Sequence, residues 1–204
     1  MIKKIARKII SIFRIISKKL KKSEISEIKT TLPPNVIKKY ISPYFFETGT
    51  ANADAVRLAL EVGFEKIFTI EIDPILYNKN VKKYKKEIAD GRVFMFLGDT
   101  FELMPQIIDK YIDKPCTFWL DAHQDFGPGG VKMCPLVEEI EYIKKSSLKH
   151  ILLIDDRRMF GTWWGEGINE NLIISKIKEL NSNYSIFYED GHIPEDIIAA
   201  KIVN

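Results

Sequence analysis

Residues 44–72, which read YFFETGTANADAVRLALEVGFEKIFTIEI, contain the pattern that decides the fold. The apolar run at the start of this stretch predicts a strand that ends in a turn containing Gly49. Residues 52–62 predict a helix closed by Gly63, and residues 66–72 predict a second strand. A strand, a helix and a strand in this order form the repeating unit of a parallel sheet.

The alternation continues to the end of the chain. We predict strands over 93–97, 117–120, 151–154, 184–188 and 197–203, and helices over 74–89, 100–108, 136–145 and 169–180. Because no helix separates the last two strands, we expect them to pair antiparallel. The fold class is therefore α/β: a doubly wound, mostly parallel, seven-stranded Rossmann-like sheet with a C-terminal antiparallel hairpin.

The N-terminal part has a different character. Residues 1–22 contain nine lysines and arginines and no acid, so the rest of a chain of net charge +3 carries −6. Apolar residues recur at steps of three and four over residues 2–20, which predicts a basic amphipathic helix. Such a helix can bind an anionic membrane surface, its own domain or a second subunit. We divide the chain into a helix and linker, 1–34, and an α/β domain, 35–204.

Composition excludes several classes of protein. No apolar run is long enough to cross a bilayer, and no cleavage site of a secretory signal follows the N-terminal helix. Two cysteines without metal-ligand spacing fit a reducing compartment. We therefore expect a cytoplasmic protein, at most peripheral on the inner membrane face through residues 2–20. The mildly acidic domain argues against a nucleic-acid partner.

Acidic residues follow five successive strands of the predicted sheet. They are Glu47, Glu71, Asp99, Asp121 and the pair Asp155–Asp156. Ligands of doubly wound sheets bind beyond the carboxyl ends of the strands, and clustered carboxylates without a ligand repel each other. Glu71 stands about where an acid binds ribose hydroxyls in this architecture. The alternative is that Glu71 and Asp73 cap the next helix.

Three of these acids form a candidate metal site. Asp121, Asp155 and Asp156 are expected to meet above the fourth and fifth strands, and carboxylate oxygens suit Mg²⁺. The alternative is a structural ion network with Arg157 and Arg158.

Further candidates lie in the loops after these strands. His123 is the preferred general base, because its ordinary pKa is close to neutral, and Asp125 is the second choice. Trp163 and Trp164 offer aromatic faces to a sugar or an aromatic ring, or one of them fills the core. We place Arg157 with these two tryptophans as a substrate contact.

Five segments together resemble a known family. They are ETGTANADAVRLAL (47–60), IEID (70–73), GDT (98–100), FWLDAH (118–123) and ILLIDD (151–156). Their order is similar to the motif series of class I S-adenosylmethionine-dependent methyltransferases. The nearest resemblance is to bacterial metal-dependent O-methyltransferases of sugars and small molecules, of the macrocin and catechol types. In those enzymes one acid follows the fourth strand and a pair follows the fifth.

The resemblance implies a cofactor, S-adenosylmethionine, and the residues that bind it. Glu47, Gly49, Thr50, Ala51 and Asn52 would hold the methionine part, Glu71 the ribose hydroxyls, and Asp99 with Thr100 the adenine. The implied reaction is O-methylation of a sugar or other small-molecule hydroxyl, assisted by Mg²⁺.

Two other functions compete with this one. A nicotinamide-dependent oxidoreductase would use the same kind of sheet, but Ala51 and Ala53 stand where its GxGxxG motif needs glycines. A non-catalytic membrane-associated module is supported by the N-terminal helix alone. That helix also leaves a homo-oligomer open.

Overall fold

The computed structural model describes residues 31–122, 134–162 and 167–203. The elements in order are α1 (Pro34–Ile37), β1 (Tyr44–Thr48), α2 (Asp54–Val62), β2 (Lys66–Glu71), α3 (Pro74–Lys83), α4 (Lys85–Ala89), β3 (Val93–Leu97), α5 (Thr100–Tyr111), β4 (Cys116–Leu120), α6 (Leu136–Ile143), β5 (Ile151–Ile154), a 3-10 turn (Arg157–Met159), α7 (Glu170–Leu180), β6 (Tyr184–Glu189) and β7 (Ile197–Ile202). Within these ranges no helix has the length and apolarity needed to cross a membrane. The helix predicted over 2–20 lies outside the described residues.

The strands form one seven-stranded sheet in the order β3-β2-β1-β4-β5-β7-β6. Strands β1 to β5 are parallel, while β7 runs antiparallel to both β5 and β6. The predicted fold class is therefore confirmed, including the C-terminal hairpin. The direction of winding reverses between β1 and β4, and this switch point is where such sheets bind ligands.

The strand register brings the predicted site residues to one edge. Thr48 pairs with Leu120, and Leu120 pairs with Ile154. The residues that follow these three, among them Asp121 and Asp155, therefore emerge side by side.

Two apolar layers cover the sheet. Phe45, Trp119 and Leu153 pack on one face with α1 and α2. Their neighbours Phe46, Phe118 and Leu152 pack on the other face with α5, α6 and α7. Because both faces are buried, the strands read as continuous apolar runs.

The structure corrects two predicted elements. The helix predicted over 74–89 is divided at Tyr84, whose buried hydroxyl donates to the Ala53 carbonyl oxygen at 2.9 Å. This tertiary contact holds Tyr84 against the turn after β1. In addition, the last residue of the predicted linker, Pro34, begins α1, because proline is suited to the first position of a helix.

Candidate functional site

A cleft of about 400 Å³ lies beyond the carboxyl ends of β1, β2, β3 and β4. The residues predicted to bind the cofactor all line it: Glu47, Gly49, Thr50, Ala51, Asn52, Glu71, Asp99 and Thr100. Asp121 lines the same cleft from the end of β4, and Ile72, Leu76 and Phe101 add apolar walls. A cleft of this volume accommodates a ligand of nucleoside size or larger.

The turn between β1 and α2 has an unusual backbone conformation. Gly49 has a φ of +86°, and a Cβ there would lie 3.1 Å from the carbonyl oxygen of Asp121, so this close approach requires glycine. Ala51 and Ala53 also have positive φ values, 45° and 57°. A left-handed alanine costs about 1 to 2 kcal/mol, so other contacts must stabilise the turn.

Side chains that follow β2 supply those contacts. The amide of the fully buried Asn80 donates to the Ala51 carbonyl oxygen at 2.8 Å. The ammonium of Lys83 donates to the Asn52 carbonyl oxygen at 3.1 Å, and Tyr84 contacts Ala53 as described above. The turn that forms one wall of the cleft is thus fixed from outside.

Glu71, the predicted ribose-binding acid, is held at the cleft wall. Its carboxylate accepts hydrogen bonds from the backbone N–H groups of Ala51 at 2.8 Å and Asp73 at 2.9 Å. The alternative, that Glu71 and Asp73 both cap α3, is correct only for Asp73, which accepts from the N–H groups of Ile75 and Leu76.

Glu47 is a buried acid in the cleft, and the Thr69 hydroxyl donates to its carboxylate at 2.9 Å. Burial raises the pKa of Glu47 well above its ordinary value, and the negative charges of Asp121, Glu71 and Asp54 raise it further. A cationic ligand, such as an ammonium or sulfonium group, would favour the ionised form.

Asp99 combines a site position with a structural role. Its carboxylate accepts from the N–H of Phe101 at 2.8 Å and so caps α5. The cap fixes the orientation of Asp99 beside Thr100, the first residue of that helix.

Asp121, Asp155 and Asp156 meet at the ends of β4 and β5, as predicted. One ligand oxygen from each lies within 4.8 Å of the others. Asp155 and Asp156 are each only 4% exposed, whereas Asp121 is more open. The Thr31 hydroxyl donates to the Asp121 carboxylate at 3.1 Å.

The two acids of the pair have different surroundings. Asp156 forms an ion pair of 2.6 Å with Arg158, which also contacts Asp196. The carboxylate of Asp155 accepts no hydrogen bond of ordinary length from the described residues. Burial raises the pKa of Asp155 to about 6, the charge of Asp156 adds to the rise, and Thr31 offsets part of it. The predicted arginine network therefore applies to Asp156, whereas Asp155 forms no ion pair within the described residues.

The donor set of this cluster fits a divalent cation. Mg²⁺ prefers oxygen ligands at about 2.1 Å in octahedral geometry, which puts neighbouring ligand oxygens about 3 to 4 Å apart. The three ligand oxygens, all within 4.8 Å of one another, lie close to that spacing. The buried carboxylate of Asp155 is the observation that favours a cation, because a buried charge is costly without a partner.

Arg157, predicted as a substrate contact, pairs with residues of α7 and β6 instead. Its guanidinium forms an ion pair of 2.7 Å with Glu170 and lies 4.8 Å from the centre of the Tyr188 ring. It is not among the residues that line the cleft. Trp163 and Trp164, the substrate contacts predicted together with it, lie outside the described residues.

Two residues near the site were not predicted from the sequence. Thr31, which lines the cleft, lay in the predicted linker. Glu139 of α6 is 1% exposed, and its Oε1 has no hydrogen-bond partner among the described residues. Burial raises the pKa of Glu139 to about 8; a hydrogen bond with Thr48 lowers it, and the charge of Asp121 raises it.

A sequence signal for Glu139 did exist. Leu136, Ile140 and Ile143 are buried at steps of four and three along α6, and position 139 falls on the same face. An acid within an apolar helix stripe is an exception that calls for an explanation.

His123, Asp125, Trp163 and Trp164 lie outside the described residues. The general base and the aromatic substrate contacts therefore stay predictions. Ala122, the last described residue before this gap, lines the cleft.

No family model and no curated protein matches the chain by sequence. Solved structures do match its fold. The O-methyltransferase TomG from Streptomyces achromogenes, in complex with S-adenosylmethionine, has a TM-score of 0.57 and 10% identity over 90% of this chain and 86% of TomG.

Two further structures give the same result. An O-methyltransferase from Bacillus cereus, in complex with S-adenosylhomocysteine, has a TM-score of 0.57 and 12% identity over 88% of this chain and 82% of its own. The methyltransferase PaMTH1 of Podospora anserina, also bound to S-adenosylhomocysteine, has a TM-score of 0.56 and 12% identity over 84% of this chain and 76% of its own. The chain therefore has the Rossmann-like fold of these methyltransferases.

Proposed function

We propose that this chain is an S-adenosylmethionine-dependent O-methyltransferase that acts on a hydroxyl group of a sugar or another small molecule. One observation carries the proposal. The residues predicted to bind the three parts of the cofactor all line one cleft at the switch point of the sheet. The shared fold with methyltransferase structures supports it.

Each wall of the cleft has a role in this proposal. Glu71, fixed by two backbone N–H groups, accepts hydrogen bonds from the ribose hydroxyls. Asp99 accepts from the adenine amino group beside Thr100. Glu47 and the turn over 49–52 hold the methionine part, where a buried acid favours its cationic groups.

The bound cofactor supplies an electrophilic methyl group on a sulfonium centre. The chain contributes orientation of the two reactants and removal of a proton from the acceptor. We assign His123, or Asp125 in its place, as the general base. Asp121, Asp155 and Asp156 would hold Mg²⁺, which lowers the pKa of a hydroxyl bound to it.

The acceptor is proposed from two sources. TomG takes part in tomaymycin synthesis, and this supports a small-molecule acceptor here. Trp163 and Trp164 suit the face of a sugar or an aromatic ring. We further propose a cytoplasmic enzyme with peripheral membrane contact through residues 2–20, and the same residues are candidates for a contact between subunits.

Calorimetric titration of S-adenosylhomocysteine tests the cofactor. We expect the wild type to bind it at about micromolar affinity or tighter. Glu71→Gln should weaken binding at least about 10-fold, because hydrogen bonds to a charged group are lost. Glu61→Gln, an exposed acid of α2, is the matched control and should bind like the wild type. Absence of binding to the wild type would overturn the proposal.

Titration of Mg²⁺ into the same protein separates the metal from the cofactor. We expect heat of Mg²⁺ binding in the wild type and none in Asp155→Asn, while both proteins still bind S-adenosylhomocysteine. Binding of S-adenosylhomocysteine with no response to Mg²⁺ in the wild type would remove the metal and leave a methyltransferase that depends on its general base.

A further inference from the structure

A mixed apolar and basic surface, called the α3 patch here, borders the mouth of the cleft. Its members are Ile72, Ile75, Leu97, Lys79, Lys82, Lys83, Lys85 and Lys86. Ile75 is 77% exposed, Ile72 46% and Leu97 45%. A single exposed apolar residue is ordinary. These three follow the ends of neighbouring elements, because Leu97 pairs with Glu71, the residue before Ile72, and Ile75 lies in the first turn of α3.

The basic part of the α3 patch is dense and uncompensated. Residues 79–86 contain five lysines and no acid, and all five lysines are exposed. None of them forms an ion pair within the part of the chain that the structure describes. Only Lys79 and Lys83 have a hydrogen-bond partner there, and it is the neutral Asn52.

Helix geometry arranges three of these side chains on one face. Ile75, Lys79 and Lys82 follow each other at steps of four and three, so they point to the same side of α3. Asn80 and Tyr84, on the opposite side, are the buried residues that contact the turn after β1. The outward direction of Ile75, Lys79 and Lys82 is therefore fixed by the same contacts that shape the cleft.

Charge decides what this surface can bind. The N-terminal segment 1–22 is itself strongly basic, and a symmetric contact between two copies would oppose lysines to lysines. The lysines therefore favour an anionic partner over a symmetric contact between two copies. The phosphates of a polynucleotide would pair with the lysines but leave Ile75 exposed to water. An anionic bilayer offers charged headgroups to the lysines and an apolar layer to Ile75.

We propose that the α3 patch binds the surface of an anionic lipid bilayer, with the apolar tips of Ile75, Ile72 and Leu97 at the headgroup boundary and the lysines beside the anionic headgroups. Because Ile72 also lines the cleft, this contact places the mouth of the cleft against the bilayer. The surface belongs to the folded domain and is separate from the helix predicted over 2–20.

Vesicle flotation of the full chain tests the proposal. The vesicles contain phosphatidylcholine alone or with about 30% phosphatidylglycerol, a composition that gives a negative surface potential. We expect binding to the anionic vesicles, weakened by salt. Lys82→Glu/Lys86→Glu should lower the partition coefficient about 30-fold or more. The matched control is Lys110→Glu/Lys145→Glu, which changes the net charge by the same amount. Lys110 lies in α5 and Lys145 just after α6, and both are exposed.

Ile75→Trp adds a measurement of membrane contact that does not depend on the net charge of the protein. The emission of this variant, after subtraction of the wild-type spectrum with its own three tryptophans, should shift to the blue with anionic vesicles and stay unchanged with phosphatidylcholine alone. An equal loss of binding in the control pair, or no spectral shift at position 75, would overturn the proposal. So would binding to a short RNA or DNA duplex that Lys82→Glu/Lys86→Glu abolishes while vesicle binding persists.

Discussion

Burial of Glu139 has a consequence for stability that depends on pH. Its pKa rises from 4.5 to about 8 in the folded protein. Between these values the unfolded chain has released the proton that the folded protein keeps, so the contribution of Glu139 to stability is greatest below the lower value and falls as pH rises to about 8. Relative to Glu139→Gln, the wild type should lose about 1 kcal/mol of unfolding free energy per pH unit across this window.

Urea unfolding of both proteins at several pH values measures this difference. Glu102→Gln is the control, because Glu102 is exposed on α5 and its charge is not among those that raise the pKa of Glu139. Its difference from the wild type should stay nearly constant with pH. A constant difference for Glu139→Gln as well would mean that the folded protein holds Glu139 ionised.

At the scale of elements, one arginine connects the end of β5 to the β6–β7 hairpin. The backbone N–H of Arg158 donates to the Asp196 carboxylate at 3.1 Å, and its guanidinium pairs with Asp196 and Asp156. The Asp196 side chain is fully buried. Arg158→Met removes the cation that contacts both buried carboxylates, so it should lower the unfolding free energy by about 3 to 5 kcal/mol.

The neighbouring arginine provides the control for that change. Arg157 pairs with Glu170, and both side chains are about one-third exposed, 31% and 32%. Exposed ion pairs contribute about 1 kcal/mol or less, so Arg157→Met should have a small effect. Equal destabilisation by the two substitutions, measured by urea unfolding, would show that burial of the Arg158 pairs is not what matters.

In the whole molecule, some site residues are placed by the sheet and others by contacts between distant parts of the chain. Only the first kind can be predicted from the sequence. Glu71 and Asp121 follow apolar strands, and a parallel sheet brings the ends of such strands to one edge, so periodicity and order predict their meeting. Thr31 and Asp121 are 90 positions apart in the sequence, and no local pattern predicts the hydrogen bond between them. The division of the predicted helix at Tyr84 has the same origin, since a contact with Ala53 overrides helix propensity.

The two apolar layers should unfold as one unit, because each central strand contributes side chains to both. Leu152 and Leu153 are neighbours on β5, both are fully buried, and they face opposite layers. Leu152→Ala and Leu153→Ala should each cost about 2 to 5 kcal/mol. If the sheet couples the layers, each substitution shifts a single transition, and far-UV circular dichroism and tryptophan fluorescence follow it together. Two separated transitions in either variant would show that one layer can lose its packing while the other, with its face of the sheet, stays folded.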